Sequence, residues 1–146
     1  MPPVFRRLPT RSSCWILVWF LWFTVLCVLS SMSHPGPHID VVGIDKVEHT
    51  LYFCAGGLCL GLALALGWLR PAAPGPRTDF SLFRMALIVL PLGAAVGWLD
   101  EWHQSFTPGR SGLDIYDWCA DICGTAISLL LLKPILRRLP ATVQKA

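Results

Sequence analysis

Charged residues are scarce in this chain: only 14% of its 146 residues are Asp, Glu, Lys or Arg. A soluble domain of ordinary composition carries about 25% charged residues, and a domain this small has a large surface for its volume. Hydrophobic residues make up 54% of the chain, and the mean hydropathy is +0.57. The composition therefore argues against a soluble enzyme, a disordered chain and a protein that coats nucleic acid.

Cysteine motifs and nucleophile motifs are also missing. The six cysteines all lie in apolar segments and form no CxxC pair, so we expect them to act as small hydrophobic residues. A disulfide scaffold and a zinc–thiolate site are both disfavoured on this ground. Because no motif marks a Ser or Cys nucleophile, any hydrolytic mechanism would depend on activated water.

Four apolar runs are present, at Ser12–Pro37, Thr50–Leu69, Met85–Leu99 and Trp118–Leu132. A bilayer core of about 30 Å needs roughly 20 helical residues. The first two runs meet that length, whereas the last two hold about 15 residues and reach it only with flanking residues. Because backbone polar groups in lipid must be satisfied within the segment, we predict an all-α polytopic bundle of four transmembrane helices. The alternative is a soluble bundle with an apolar core, which the low charge disfavours.

The first run has a second interpretation, as a cleaved signal peptide. Arg6, Arg7 and Arg11 precede it, and Ser31 to Ser33 follow its dense apolar core at Cys14–Leu29. Signal peptides have apolar stretches of about 7–15 residues, and this run is longer and rich in Trp and Phe. The length favours a retained helix, with cleavage as the alternative.

The net charge of +3 separates into two unequal parts when successive loops are assigned to alternate sides of the membrane. Residues 1–13, 70–84 and 133–146 carry ten basic residues and one acidic residue, a net charge of +9. Residues 31–49 and 100–117, together with Asp121 just beyond them, carry two basic and eight acidic residues, a net charge of −6. Since Lys and Arg are retained in the cytoplasm during insertion, both termini are predicted to be cytoplasmic. The chain then divides into a basic N-terminus at 1–13, a membrane domain at 14–132 and a basic C-terminus at 133–146.

Small residues recur at helical spacing in three of the predicted helices. Such stripes let helices approach closely in lipid, where no hydrophobic effect drives their association. We therefore expect them to build contacts within one bundle. The stripes are Gly57 with Gly61, Gly93 with Gly97, and Ala120 with Gly124 and Ser128.

Almost every residue capable of chemistry lies at the outward ends of the second, third and fourth helices. Asp114, Asp117 and Asp121 form an acidic stripe that leads into the fourth helix, and a tight turn at Pro108–Gly109 precedes it. Carboxylates at this spacing repel one another, and ionisable groups below the interface are costly and often functional. Lys46 and Arg110, the basic residues of this side, are therefore expected to pair with them. The candidate binding residues are Asp45, Lys46, His49, Asp100, Glu101, His103, Gln104, Arg110, Asp117 and Asp121.

Three ordered blocks within residues 40–132 resemble the VanZ-like family. The first is Asp45-Lys46-x-x-His49 followed by Tyr52-Phe53, and the second is Asp100-Glu101-x-His103-Gln104 followed by Phe106 and Pro108-Gly109-Arg110. The third is Asp117-x-x-x-Asp121-x-x-Gly124, with Asp121 where the family often has Asn. The resemblance implies a small multi-pass protein of the bacterial cytoplasmic membrane. The founding member is associated with low-level resistance to the glycopeptide teicoplanin.

These observations leave three functions open. In the first, the outward site binds a polar group of a membrane lipid or a lipid-linked cell-wall precursor, with Lys46, His49 and Arg110 contacting an anion. In the second, the protein is a membrane hydrolase or transferase of lipid-linked head groups, with Glu101 or His103 as general base. In the third, the polar residues only lock helix ends together.

A cofactor is not required by any motif, but the outward charge of −6 disfavours binding of a bare phosphate. A divalent cation would remove that objection. Its expected ligands are Asp100, Glu101, His103, Asp117 and Asp121. No nucleic-acid partner is expected, because the basic residues are explained by topology, and the oligomeric state stays open.

Overall fold

The fold is an all-α bundle, as predicted. The computed structural model describes residues 9, 11–33, 42–67 and 82–137, and in these ranges it contains helices but no strand. Each helix is long and apolar enough to span a membrane. Most of the basic segments predicted at 1–13 and 133–146 lie outside the described residues. The helices are α1 at Ser12–Ser30, α2 at Ile44–Leu66, α3 at Leu82–Gln104 and α4 at Ile115–Arg137.

The helices α3 and α4 are longer than their apolar runs. Each contains 23 residues, which corresponds to about 35 Å, whereas the apolar runs alone predict about 22 Å. The difference arises because the polar residues that flank the runs continue the helix instead of ending it. In the same way, α2 begins at Ile44, six residues before the apolar run at Thr50. The polar residues therefore become part of the packed helices.

Consecutive helices run antiparallel. At one end of the bundle, Ser12 Oγ near the start of α1 donates a hydrogen bond of 2.7 Å to the Ala63 carbonyl oxygen near the end of α2. At the other end, the Thr107 hydroxyl that follows α3 donates 2.8 Å to the carbonyl oxygen of Ser30, the last residue of α1. We call this second end, where α1 and α3 end and α2 and α4 begin, the polar end.

Glycines bring α2 and α3 close to α4. A Cβ atom at Gly57 or Gly61 would meet Ser128 or Leu132 of α4, and one at Gly97 would lie 2.6 Å from Asp121 Oδ2. The expectation that these stripes build contacts within the bundle is confirmed, since each contacts another helix of the same chain. The α4 stripe contacts α2 through Gly124, which faces the Thr50 backbone.

An aromatic contact joins α1 to α2. The Trp22 indole N–H donates 3.0 Å to the Tyr52 carbonyl oxygen, and the Tyr52 hydroxyl donates 2.9 Å to the Trp22 carbonyl oxygen. The two rings stack with centroids 5.3 Å apart, and Phe53 meets Trp22 edge-on. The helix α1 is therefore attached to the bundle by paired hydrogen bonds, although much of its apolar surface is exposed, as suits a face in contact with lipid.

We predict that Gly124→Ala destabilises the protein, although Ala normally favours a helix over Gly. The added Cβ would collide with the Thr50 carbonyl group, which is backbone and has no rotamer with which to move aside. Overpacking of this kind costs about 1–3 kcal/mol, measurable by unfolding in mixed micelles. The control is Ala55→Leu on the exposed side of α2, and an equal loss in both variants would contradict the close packing.

Candidate functional site

A ladder of ion pairs joins the first turns of α2 and α4 at the polar end. Lys46 Nζ lies 2.8 Å from Asp117 Oδ1 and 3.1 Å from Asp114 Oδ2, and it also contacts the exposed Asp45 carboxylate at 2.8 Å. One turn further into the bundle, His49 Nδ1 lies 2.9 Å from Asp121 Oδ1. The spacing of three residues on α2 matches the four-residue step on α4 because both follow the helical repeat. The predicted pairing of Lys46 with the acidic stripe is confirmed.

Asp114 connects three elements. It directly precedes α4, and its Oδ1 accepts a hydrogen bond of 2.7 Å from the Tyr116 backbone N–H, which caps the helix. Its own N–H donates 2.8 Å to Glu101 Oε2 on α3. The Tyr116 N–H and then the Lys46 ammonium group hold the pKa of the Asp114 carboxyl below its usual value, because both favour the charged form.

A chain of hydrogen bonds joins α1, α3 and the turn that follows α3. The Ser30 hydroxyl donates to Asp100 Oδ1, and the Gln104 side-chain amide donates 2.7 Å to Asp100 Oδ2. Gln104 Oε1 in turn accepts hydrogen bonds of 3.1 and 2.6 Å from Arg110. Asp100 and Gln104 are both buried, so these contacts satisfy polar groups that water cannot reach.

The predicted tight turn places Arg110 in this chain. The Arg110 N–H donates 3.2 Å to the Thr107 carbonyl oxygen, and Gly109 has a φ of +81°, as a type II turn with Pro at its second position requires. The expectation that Arg110 pairs directly with a carboxylate is wrong for the described residues. It binds the Gln104 amide, because that side chain stands between the guanidinium group and Asp100.

Three buried carboxylate oxygens have no hydrogen-bond partner among the described residues. Two of them are Glu101 Oε1 and Asp121 Oδ2, on residues that are 1% and 0% exposed. A buried charge without a partner is costly, and such atoms are rare in folded proteins. Asp117 Oδ1 also lacks a hydrogen bond by geometry, but it is ion-paired with Lys46.

One nitrogen of His49 and one carboxylate oxygen each of Asp100 and Glu101 lie within 4.8 Å of one another. These residues come from α2 and α3 and meet at the polar end because the two helices run antiparallel. In the described part of the chain, this is the one group of three or more His, Cys, Asp or Glu residues close enough to hold a metal ion. Of the cation ligands expected from the sequence, His103 does not join them, since its Nε2 lies 3.3 Å from Ser31 Oγ. Asp117 does not join them either, because it faces Lys46.

A cavity of about 220 Å³ opens beside this group. Its lining includes both polar and apolar side chains, contributed by α1, α2, α3 and the turn after α3. The polar lining residues are Ser30, Glu48, His49, Asp100, Gln104 and Arg110. The apolar lining residues are Leu26, Leu29, Tyr52 and Phe53.

The sequence analysis missed the residues that α1 contributes. Ser30 is buried and contacts Asp100, and Leu26 and Leu29 line the cavity. Their only signal in the sequence was a serine at the end of an apolar run, which does not distinguish a site residue from a helix end. Asp45, in contrast, was a candidate, but its side chain is 54% exposed and contacts only Lys46 among the described groups.

We predict that Lys46→Met lowers the free energy of unfolding by about 1–3 kcal/mol, because it removes the partner of the nearly buried Asp117 and keeps the apolar stem. The exposed partner provides the control: Asp45→Asn is expected to change stability by less than about 0.5 kcal/mol. A double-mutant cycle with Asp117→Asn measures the coupling. Additive losses in Lys46→Met and Asp117→Asn would show that the pair does not interact.

We predict a pH-dependent effect for Asp114→Asn. Asn caps a helix about as well as Asp, so the substitution tests the charge alone. Because the pKa of Asp114 is lowered by folding, its stabilising effect is complete above the unfolded value of about 4. That effect disappears as the pH falls through the folded value. Unfolding at pH 7 and at pH 2 is the measurement, and an equal difference between wild type and variant at both would contradict the prediction.

Comparison with protein-family models, with curated proteins and with solved structures finds no match to this chain. The chemistry of the polar end must therefore be argued from its own residues, and the VanZ-like resemblance remains a prediction.

Proposed function

We propose that the protein is a binding module whose polar-end cavity takes the head group of a membrane lipid or a lipid-linked cell-wall precursor. The observation that carries this proposal is the cavity of about 220 Å³ whose lining combines charged and polar side chains with leucine and aromatic side chains. Ligand sites are typically concave, mostly apolar and supplied with a few converging polar groups. An amphiphile matches such a mixed lining better than a fully polar solute does.

The polar lining residues of the cavity can bind both anionic and hydroxylated head groups. Arg110 uses its Nε and one terminal nitrogen on Gln104, and since a guanidinium group carries five N–H donors, further donors are available to an anion. The exposed Glu48 carboxylate lines the same cavity and can accept hydrogen bonds from sugar hydroxyls. Lys46, which the sequence analysis assigned to the anion, is instead engaged by three Asp carboxylates.

The charge distribution supports an outward orientation of this cavity. The loops of the opposite side carry most of the basic residues, which favours a cytoplasmic location for that side and for both termini. Exposed aromatic side chains lie near the polar end, among them Trp98, Trp102 and Phe106 on α3 and the turn after it, and such residues concentrate at membrane interfaces. A head group in the outer leaflet of the bacterial cytoplasmic membrane would then lie level with the cavity.

A purely structural bundle is the second candidate, and the ion-pair ladder favours it. Lys46 and His49 hold α2 against α4 whether or not a ligand binds. That role does not account for the cavity or for Arg110 on its wall. If the bound group is a cell-wall precursor, the link to teicoplanin resistance implied by the VanZ-like resemblance becomes testable in the same variants.

We predict that Leu29→Trp abolishes lipid binding by filling the cavity. Leu29 is one of the apolar residues that line the cavity, and an indole ring is large enough to occupy much of the cavity. Native mass spectrometry of the protein released from nanodiscs of bacterial lipids would report the bound species. We expect wild type to retain a defined lipid and Leu29→Trp to lose at least about 90% of it.

The matched control is Leu17→Trp on the same helix, where the side chain is 68% exposed. This variant adds the same ring outside the cavity and is expected to retain the lipid at the wild-type level. A wild-type protein that carries no defined lipid, or an equal loss in both variants, would contradict a head-group function and favour the structural role.

A further inference from the structure

We propose that His49, Asp100 and Glu101 bind a divalent cation of the Mn²⁺ or Zn²⁺ type at the polar end. The three donor atoms lie within 4.8 Å of one another. Ligand atoms on opposite sides of one ion are at most about 4.4 Å apart, given metal–ligand distances of about 2.0–2.2 Å. Small side-chain rotations therefore suffice to close the site around an ion.

The His49 ring is oriented as in metal sites whose histidine is held by a carboxylate. Its Nδ1 lies 2.9 Å from Asp121 Oδ1, and an Nδ1–H donated to this carboxylate leaves the Nε2 lone pair for a ligand. Metal-binding histidines almost always make such a bond with their other ring nitrogen. Asp121 thus acts as a positioning residue for His49.

The two carboxylates are held in a comparable way. Asp100 accepts hydrogen bonds from Ser30 and Gln104, and Glu101 Oε2 accepts one from the Asp114 N–H. Partners of this kind fix the direction of ligating carboxylates and are a regular part of metal sites. The proposed ligands are therefore held by groups from α1, α3, α4 and the residue before α4.

The unpartnered Glu101 Oε1 is the independent observation that points to a ligand. The side chain is almost completely buried, and this oxygen has no hydrogen-bond donor among the described residues. The described cations near it are already engaged, Lys46 by three Asp residues and Arg110 by Gln104. Two adjacent buried carboxylates whose neighbouring cations are engaged elsewhere are stabilised in their charged form by a further positive charge, and a bound ion supplies it.

The donor set indicates the kind of ion. One imidazole and two carboxylates suit first-row divalent ions such as Mn²⁺ and Zn²⁺ better than Ca²⁺, which prefers six or more oxygen ligands. Three protein ligands leave at least one coordination position open. Because His49 and Asp100 also line the cavity, that position is available to an anion there, which extends the proposed head-group function without depending on it.

The test uses the full chain in detergent, stripped with chelator and titrated with Mn²⁺ or Zn²⁺ alone. We expect one ion per chain by calorimetry and, for Mn²⁺, loss of the free-ion paramagnetic resonance signal. Glu101→Gln is expected to weaken binding at least about 100-fold. Asp121→Asn is expected to weaken it about 10-fold, as for a residue that orients a ligand. Asp45→Asn, which removes an exposed carboxylate of the polar end outside the cavity, is the control and is expected to stay within about twofold of wild type.

Melting temperature separates loss of the ion from loss of the fold. The ion is expected to raise the melting temperature of wild type and of Asp45→Asn but not that of Glu101→Gln. The ion-free melting temperature of Glu101→Gln is expected to equal or exceed that of wild type, because the amide removes an unpaired buried charge. If Glu101→Gln does not fold, Asp100→Asn replaces it with the same expected loss of affinity. Absence of binding by wild type, or equal affinity in Glu101→Gln and Asp45→Asn, would overturn the proposal. Because the metal titration contains no lipid, its outcome does not decide the test of the head-group function.

Discussion

The structure depends on one constraint: carboxylates buried between helix ends must have a positive or hydrogen-donating partner. Four of them, Asp100, Glu101, Asp117 and Asp121, are almost inaccessible to solvent. An ionised group left without a partner in such a place costs several kcal/mol. Lys46 and His49 pair with Asp117 and Asp121 and hold α2 against α4, and Gln104 bonds Asp100 within α3. Glu101 and Asp121 each keep one oxygen without a hydrogen-bond partner among the described residues, and the other oxygen of Glu101 accepts a backbone N–H.

Close helix packing makes this arrangement geometrically accessible. Ion pairs of 2.8 and 2.9 Å between α2 and α4 require their backbones to approach closely, and Gly124 against the Thr50 carbonyl group permits that approach. On the other side of α4, Gly97 leaves the space that the Asp121 carboxylate occupies. The small residues that build the bundle therefore also place the carboxylates. A substitution that appears to concern packing alone would displace the polar end.

Much of the fold could be predicted from the sequence, because apolar runs and charge separation report directly on membrane insertion. The runs predicted four helices but underestimated α3 and α4, since hydropathy does not detect polar residues that remain helical. The stripe of Asp114, Asp117 and Asp121 predicted a partner, and Lys46 proved to be one. The position of Arg110 depends on the intervening Gln104. The cluster contains His49 and not the expected His103, because the rotation of each helix decides which side chains face one another. Neither could be read from spacing along one chain.

The central claim is that the polar end is completed by a ligand instead of by the protein alone. An experimental structure of the chain, purified in its native lipid without added chelator, tests it most directly. The account predicts non-protein density in the cavity, with a peak beside His49, Asp100 and Glu101 and the Arg110 guanidinium group still on Gln104. A collapsed cavity in which Arg110 or another side chain of the protein contacts Glu101 Oε1 would contradict it.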